Sequence, residues 1–238
     1  MDGSVSARQA FPALPFQDLF QTQRLTNPRV HPSSMGHGHS MRSVSLPDFY
    51  QVTPEPAGSP DFEPFFAELT DTLRSGVRLL QLRAKRLDAR EHLAVAQRTR
   101  DLCRQFGTIL ILNGPIDMAR EAGCDGVHLS SDALMSLRSR PVPETVLVSA
   151  ACHSAEQLEH AARMAVDFVT LSPVLPTRTH PEAEPLGWER FAALVQGARI
   201  PVFALGGMRP EMLDQAKQAG AWGIAAISAT WRRPSAGG

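Results

Sequence analysis

The segment Gln81-Leu-Arg83-Ala-Lys85 places two cationic side chains and one amide at alternate positions. Alternate residues of an extended strand project to the same side, so these three side chains should share one face of a strand end. Two positive charges beside an amide suit a polyanion such as a phosphate or a pyrophosphate. The alternative is that Arg83 forms an ion pair with a neighbouring carboxylate.

Other polar residues follow further apolar runs along the chain. They are Asn113, His153 in a Cys-His-Ser triplet, Thr177, Thr179 and His180 in a proline-rich segment from Ser172, the pair Gly206-Gly207, and Ser228. Hydroxyl groups and the backbone N–H groups of tight turns are common ligands of phosphate oxygens. The alternatives are an ordinary surface loop for the proline-rich segment and a purely structural turn for the glycine pair.

Eight short apolar runs alternate with longer amphipathic segments that have helical periodicity. The runs span residues 49–53, 79–83, 108–113, 126–129, 146–152, 168–172, 202–205 and 223–228, and helical segments span 63–76, 89–106, 154–165, 188–197 and 210–220. This alternation predicts an α/β fold, a (β/α)8 TIM barrel, whose strands gather their C-terminal ends at one mouth. A doubly wound sheet is the alternative, but no G-x-G-x-x-G turn follows the first strand.

The remaining composition restricts the function classes. Lysine plus arginine and aspartate plus glutamate each number 24, so the net charge gives no reason to expect a nucleic-acid or membrane partner. No run approaches the roughly 18 apolar residues of a membrane span. The three cysteines form no C-x-x-C pair, and no secretory signal opens the chain, so we expect a cytoplasmic protein.

Residues 1–45 differ from the rest in being rich in Pro, Ser, Gln and His, with only short apolar runs. Such a composition buries little surface and predicts a flexible tail or linker. Residues 46–238 should then form a single barrel domain.

The motifs of the predicted barrel resemble those of thiamine phosphate synthases and their TenI relatives. They are Q-L-R-x-K at 81–85, L-N at 112–113, D-G-V-H-L at 125–129, C-H-S at 152–154, S-P-V-L-P-T-x-T at 172–179, A-L-G-G-M at 204–208 and A-I-S-A at 226–229. Together with L-G-W-E-R-F at 186–191, they look closest to the barrels that form the C-terminal domain of Nudix hydrolase fusions. No Nudix box precedes the barrel, so we expect a freestanding copy.

The resemblance implies a transferase of thiamine biosynthesis that couples an aminopyrimidine-methyl pyrophosphate to a thiazole phosphate and releases pyrophosphate. Its small-molecule partners would be these two substrates, its cofactor would be Mg²⁺, and its oligomeric state stays open, a homodimer included. By the same resemblance, groups near the departing pyrophosphate would be Arg83, Lys85, Asn113, Thr177, Thr179 and His180. Gln81 would meet the pyrimidine, while Gly206, Gly207 and the Ile227-Ser228 backbone would hold the thiazole phosphate.

Four positions depart from the family pattern. Gly114 stands where the family has one metal-binding Asp, and the second is represented by Asp132 only if its loop is one residue shorter. His180 replaces a Lys, and Ala151 replaces a Ser. Losing carboxylates should weaken Mg²⁺ binding, because this ion usually takes one or two of them in addition to phosphate oxygens.

Two further hypotheses therefore stay open beside the transferase. The first is a metal-independent tautomerase of the TenI type; its catalytic His would fall at Pro173 here, which leaves His153 as the nearest imidazole. The second is a non-catalytic protein that binds a thiamine intermediate.

Overall fold

The computed structural model describes residues 46–56, 61–177 and 182–231, and the barrel lies in the unit Pro47–Gly238. Its strands are β1 (Phe49–Val52), β2 (Leu79–Arg83), β3 (Ile109–Asn113), β4 (Gly126–Leu129), β5 (Leu147–Cys152), β6 (Phe168–Leu171), β7 (Val202–Leu205) and β8 (Gly223–Ala226). Its helices are α1 (Glu63–Arg74), α2 (Ala89–Phe106), α3 (Ile116–Ala122), α4 (Ser131–Ser136), α5 (Ala155–Arg163), α6 (Gly187–Gln196) and α7 (Leu213–Gln218). The predicted tail at 1–45 lies outside the described residues.

Every strand pairs in parallel with the next one along the chain, and β8 closes the sheet by pairing with β1. The predicted (β/α)8 barrel is thereby confirmed, and the doubly wound sheet is excluded. Because all eight strands run in the same direction, their C-terminal ends surround one mouth, which receives the β-to-α loops.

The alternation of side chains sorts each strand into an outward and an inward set. On β2, Leu80 and Leu82 belong to the core between the strands and the helices. Gln81 and Arg83 therefore face into the barrel, where Arg83 lies in register with Asn113 of β3. Strand pairing thus brings the two predicted anion-binding side chains together at the mouth.

Three aromatic rings fill the lower part of the barrel. The ring of Tyr50 lies edge-on to the rings of Phe168 and Phe203, with centroid separations of 5.4 and 5.7 Å. All three side chains are fully buried. Such edge-to-face contacts add to the free energy of burying the rings, so this layer is a packed floor beneath the mouth.

Above this floor, a histidine is buried inside the barrel. His128 of β4 lies in register with Ser149 of β5, and its Nδ1 is 2.8 Å from the Ser149 hydroxyl oxygen. Burial, and to a smaller extent the positive charge of Lys85, lowers the pKa of His128 to about 3. The imidazole is accordingly neutral near pH 7.

Three of the helices, α2, α4 and α5, begin with capping side chains in the loops that follow the strands, and the caps of α2 and α5 adjoin predicted site residues. Asp88 accepts a hydrogen bond of 2.8 Å from the backbone N–H of Glu91 and starts α2, and Ser154 accepts one of 3.3 Å from Gln157 and starts α5. These caps satisfy backbone donors that have no partner within the helix. The Ser154 cap also fixes the chain direction directly after His153.

The buried His128 predicts a specific sensitivity to acid. Its pKa in the folded protein is lower than the ordinary value of 6.5, so the unfolded chain binds the proton more readily. The free energy of unfolding should therefore fall as pH decreases from 6.5 towards 3. His128→Asn retains a group that can bond to Ser149 but removes the titration.

Urea unfolding at several pH values measures this effect. Below pH 6.5, the stability advantage of the wild-type protein over His128→Asn should shrink by up to about 1.4 kcal/mol per pH unit. Parallel pH profiles of the two proteins would show that His128 does not titrate on unfolding.

Candidate active site

The amide of Gln81 is held by hydrogen bonds at both ends. Its Nε2 donates to the Tyr50 hydroxyl oxygen at 2.9 Å, and its Oε1 accepts from the Asn113 amide at 3.0 Å. Tyr50 also hydrogen-bonds with Ser149, the partner of His128, and burial raises the pKa of its hydroxyl. The Gln81 amide therefore has one fixed orientation, with one N–H and one lone pair left for a ligand.

Arg83 forms an ion pair at the mouth. Its Nη1 lies 2.7 Å from Oε2 of Glu55, and Oε1 of the same carboxylate accepts the backbone N–H of Arg86 at 2.6 Å. The Arg83 backbone is anchored as well, since its N–H donates to the Thr53 hydroxyl at 3.0 Å. The sequence alone left open whether Arg83 pairs with a carboxylate. In the structure, it forms an ion pair with Glu55. An incoming anion must therefore compete with Glu55 for this guanidinium.

Lys85, the third residue of the predicted face, lies beyond the end of β2 in a turn and is exposed. Its charge nevertheless reaches the barrel interior, because it contributes to the lowered pKa of His128. Lys85 is thus a second cation near Arg83, but it lies in the turn after β2 rather than on the strand itself.

His92 of α2 packs against Gly114, the position where the family pattern has an aspartate. A Cβ atom at Gly114 would lie only 3.0 Å from Cε1 of this ring. The ring is 7% exposed, and its Nε2 has no hydrogen-bond partner among the described residues. Burial lowers the pKa of His92, and the nearby Glu55 carboxylate opposes that shift. A side chain at 114 would require the imidazole to move.

Asp132, the predicted metal ligand, is the second residue of α4, whose cap is Ser130. Its side chain is exposed and makes no hydrogen bond or ion pair with Asn113 or Arg83. Among the described residues, no three His, Cys, Asp or Glu side chains converge to hold a metal ion. The residues present therefore do not fit a Mg²⁺ site built by the protein alone.

His153 at the end of β5 is oriented by a backbone carbonyl. Its Nδ1 lies 2.7 Å from the carbonyl oxygen of Ser172, and its own backbone N–H donates to Oε1 of Gln157. A carbonyl oxygen only accepts, so Nδ1 carries the proton, and Nε2 of the neutral ring keeps its lone pair. The exposed imidazole can thus act as a base at Nε2.

The glycine pair after β7 is required by the close approach of the loop after β6. Gly206 and Gly207 have φ values of +102° and +69°, which favour glycine. A Cβ at Gly206 would lie 2.8 Å from Cα of Pro173, and one at Gly207 would lie 2.8 Å from Cβ of Leu175. The two loops form one packed wall of the mouth. Thr177 follows in this wall, whereas Thr179 and His180 lie outside the described residues.

The loops after β7 and β8 each present a backbone N–H group without a partner in the residues that the structure describes. Within the described part of the chain, the N–H groups of Gly207 and Ser228 donate to no protein acceptor. Ser228 is exposed at the end of β8, next to the half-buried Ile227. Free backbone N–H groups at this end of a barrel are common ligands of phosphate.

Two residues at the mouth, Glu55 and His92, and one buried in the outer side of the wall, Gln51, were not singled out by the sequence pattern. Glu55 directly follows β1 in Thr-Pro-Glu-Pro, so applying the strand-end rule to the first strand would have identified it. Gln51 hydrogen-bonds to the end of β8, and His92 packs against Gly114; these contacts join residues distant in sequence, which no local pattern reveals.

The closed parallel sheet and its connecting helices define a (β/α)8 barrel with polar side chains at its mouth. The sequence model described as thiamine monophosphate synthase matches residues 49–230. A putative thiamine-phosphate synthase 2 of Aquifex aeolicus is 35% identical over 185 residues, covering 78% of this chain and 98% of that protein. A putative thiamine-phosphate synthase of Geobacter sulfurreducens is 38% identical over 165 residues, covering 68% and 78%.

Among solved structures, a thiamine phosphate pyrophosphorylase from Pyrococcus furiosus superposes with a TM-score of 0.63 at 24% identity, covering 76% of this chain and 86% of that one. This likeness supports the fold. The chain belongs to the thiamine monophosphate synthase family, as the motifs predicted. No helix in the described ranges has the length and apolar character that a membrane crossing demands.

The ion pair with Glu55 predicts that neutralising this residue strengthens anion binding. Glu55→Gln leaves Arg83 without its competing charge, so inorganic pyrophosphate should bind about fivefold more tightly. Titration calorimetry at low ionic strength measures the change.

The matched control is Glu63→Gln, which removes the same charge from an exposed ion pair with Arg98. It should leave pyrophosphate affinity unchanged. If Glu55→Gln weakened binding instead, Glu55 would be holding Arg83 in place rather than competing for it.

The exposed position of Asp132 predicts weak metal binding by the protein alone. Mg²⁺ titrated into the ligand-free protein should bind with a Kd in the millimolar range or weaker, because too few carboxylates converge. Asp132→Asn should not change this Kd. Micromolar binding that disappears in Asp132→Asn would show that this carboxylate builds a metal site.

Proposed function

We propose that this protein couples an aminopyrimidine-methyl pyrophosphate to a thiazole phosphate, forming thiamine phosphate and releasing pyrophosphate. Relatives of this chain are described as thiamine-phosphate synthases, and the mouth of this barrel carries polar groups suited to such a coupling. The observation that carries the proposal is the placement of three polar side chains on adjacent strands at the mouth: Asn113 donates a hydrogen bond to Gln81, and Arg83 lies in register with Asn113.

The reaction breaks the bond between the methylene carbon and a pyrophosphate oxygen, and the electron pair leaves with the pyrophosphate. The lone pair of the thiazole nitrogen then forms the new C–N bond to that carbon. Negative charge builds up on the departing oxygen, and the Arg83 guanidinium stabilises it, because a preorganised cation needs little reorganisation as the bond breaks. Asn113 and Thr177 contribute further donors, and Lys85 adds positive charge at the edge of the mouth.

In this scheme, Gln81 recognises the pyrimidine ring through hydrogen bonds. Tyr50 and Asn113 fix its amide, so the free N–H and the free lone pair are presented to the ring in a single orientation. The thiazole phosphate is held by the N–H groups of Gly207 and Ser228 on the wall formed by the loops after β6, β7 and β8. The two substrates thus bind to different walls of the same mouth.

The test is a coupling assay with both substrates and Mg²⁺ present. The wild-type protein should form thiamine phosphate, and Arg83→Ala should lower kcat by about 100-fold or more, since it removes the cation that stabilises the departing charge. Arg98→Ala, which breaks an exposed ion pair with Glu63, should retain full activity. Absence of product under conditions where an authentic synthase is active would overturn the proposal.

The orientation of His153 favours a second activity, proton transfer on a thiazole carboxylate phosphate. Its Nδ1–H donates a hydrogen bond to the backbone carbonyl of Ser172, so Nε2 is the nitrogen that can accept a proton. This tautomerase activity should persist in EDTA and disappear in His153→Ala. If neither reaction occurs, calorimetry with thiazole phosphate and thiamine phosphate separates a binding protein from one with no affinity for either.

A further inference from the structure

Gln51 of β1 is a polar side chain buried completely on the outer side of the barrel wall. Its register partner on β2 is Leu80, a member of the helix-facing core, whereas its neighbour Tyr50 faces the barrel interior. On the opposite side, Gln51 pairs with Ala226, the last residue of β8. An amide in this position must find all its hydrogen-bond partners inside the protein.

The Gln51 amide finds these partners at the end of β8. The two N–H groups of its Nε2 are directed at three carbonyl oxygens, those of Val52 at 2.7 Å, Ile227 at 2.9 Å and Ala226 at 3.2 Å, so that one hydrogen is shared. Its Oε1 accepts a hydrogen bond from the hydroxyl group of Thr230. Ile227, which precedes Ser228, and Thr230, which follows it, are therefore both hydrogen-bonded to the side chain of Gln51.

This anchoring sets the direction of one peptide group. A trans peptide is planar, and its C=O and N–H point in opposite directions. Gln51 holds the Ile227 carbonyl on the helix-facing side of the wall, so the N–H of Ser228 points to the other side, towards the mouth. That N–H is one of the two free donors of the phosphate site.

The segment after β8 is also held in place by contacts of Trp231 with α1. The ring of Trp231 stacks on Phe65 of α1 with a centroid separation of 5.5 Å, and its Nε1 donates to Glu68. Loss of the Gln51 amide would therefore free the peptide to rotate without detaching the segment.

We propose that Gln51 is a positioning residue that aims the Ser228 N–H at the phosphate of the thiazole substrate. This inference rests on the proposed function, specifically on the phosphate site between Gly207 and Ser228. It assigns specificity for one substrate to a side chain that touches neither substrate.

The test uses Gln51→Met, which keeps the size of the side chain but cannot donate. Affinity for thiazole phosphate should fall by about tenfold, because a hydrogen bond to a charged ligand loses its alignment. Affinity for inorganic pyrophosphate, bound at Arg83, should stay unchanged. In the coupling assay, KM for thiazole phosphate should rise and KM for the pyrimidine pyrophosphate should not.

Thr108→Val is the matched control. The Thr108 hydroxyl donates to the Val77 carbonyl at 2.7 Å, also buried but at the opposite end of the barrel. Its loss should lower Tm without altering either affinity. Thr230→Val removes only the hydrogen bond to Oε1 of Gln51, so it should cause a smaller loss of thiazole phosphate affinity. This variant tests the same role if Gln51→Met does not fold.

The outcomes separate this inference from the proposed function. If the wild-type protein binds no thiazole phosphate, the proposed phosphate site itself fails. If the wild-type protein binds it and both Gln51→Met and Thr230→Val bind it equally well, the site stands and the positioning role of Gln51 is refuted. An equal loss of thiazole phosphate and pyrophosphate affinity would also refute it, because it would indicate general damage to the fold.

Discussion

Closure of the parallel sheet is the constraint on which the rest of this molecule depends. Eight strands, each hydrogen-bonded to both neighbours, leave no free edge, so the register of one pair limits the register of the others. Side chains alternate between the interior and the helices along every strand. A shift of one residue in β2 would turn Gln81 and Arg83 towards the helices and place Leu80 and Leu82 in the mouth. The site is therefore defined by strand register before any loop contributes to it.

A connected set of polar groups occupies the interior that this register creates. It runs from Asn113 through Gln81 and Tyr50 to Ser149 and His128, across the five strands β1 to β5. In a buried region an unpaired polar group is costly, so each member fixes the orientation of the next. The lowered pKa of His128 belongs to the same arrangement, because a charged imidazole there would lack both water and a counter-ion. The amide that we assign to the pyrimidine is thus aligned by the buried Tyr50 on one side and by Asn113 at the end of β3 on the other.

The sequence alone predicted those features of the site that follow from local periodicity. All eight apolar runs became strands, and alternation within Gln81-Leu-Arg83 correctly placed both polar side chains on one face. The contacts of Gln51 could not be anticipated in this way. They join residues 175 and 176 positions apart, and they exist only because the last strand pairs with the first. In the sequence, a single glutamine in an apolar run suggests only a less stable strand. The carbonyl groups that accept its hydrogen bonds come from β8 and the residue after it, which adjoin β1 only in the closed barrel. The ion pair of Glu55 with Arg83 likewise depends on the way the loop after β1 folds over β2.

One of the expected departures from the family pattern, Gly114, lies beside a buried histidine. At Gly114 the missing carboxylate coincides with a buried imidazole, since His92 occupies the space that a side chain would need. The negative charge at this wall is instead provided by Glu55, which neutralises Arg83 and also acts on His92. An anionic ligand that displaces Glu55 from Arg83 leaves this carboxylate beside a buried imidazole whose Nε2 has no protein partner in the described chain. Protonation of that imidazole would then be favoured by a closer negative charge. Glu55 thus pairs with Arg83 and also acts electrostatically on His92, so a ligand that displaces this carboxylate should affect both groups.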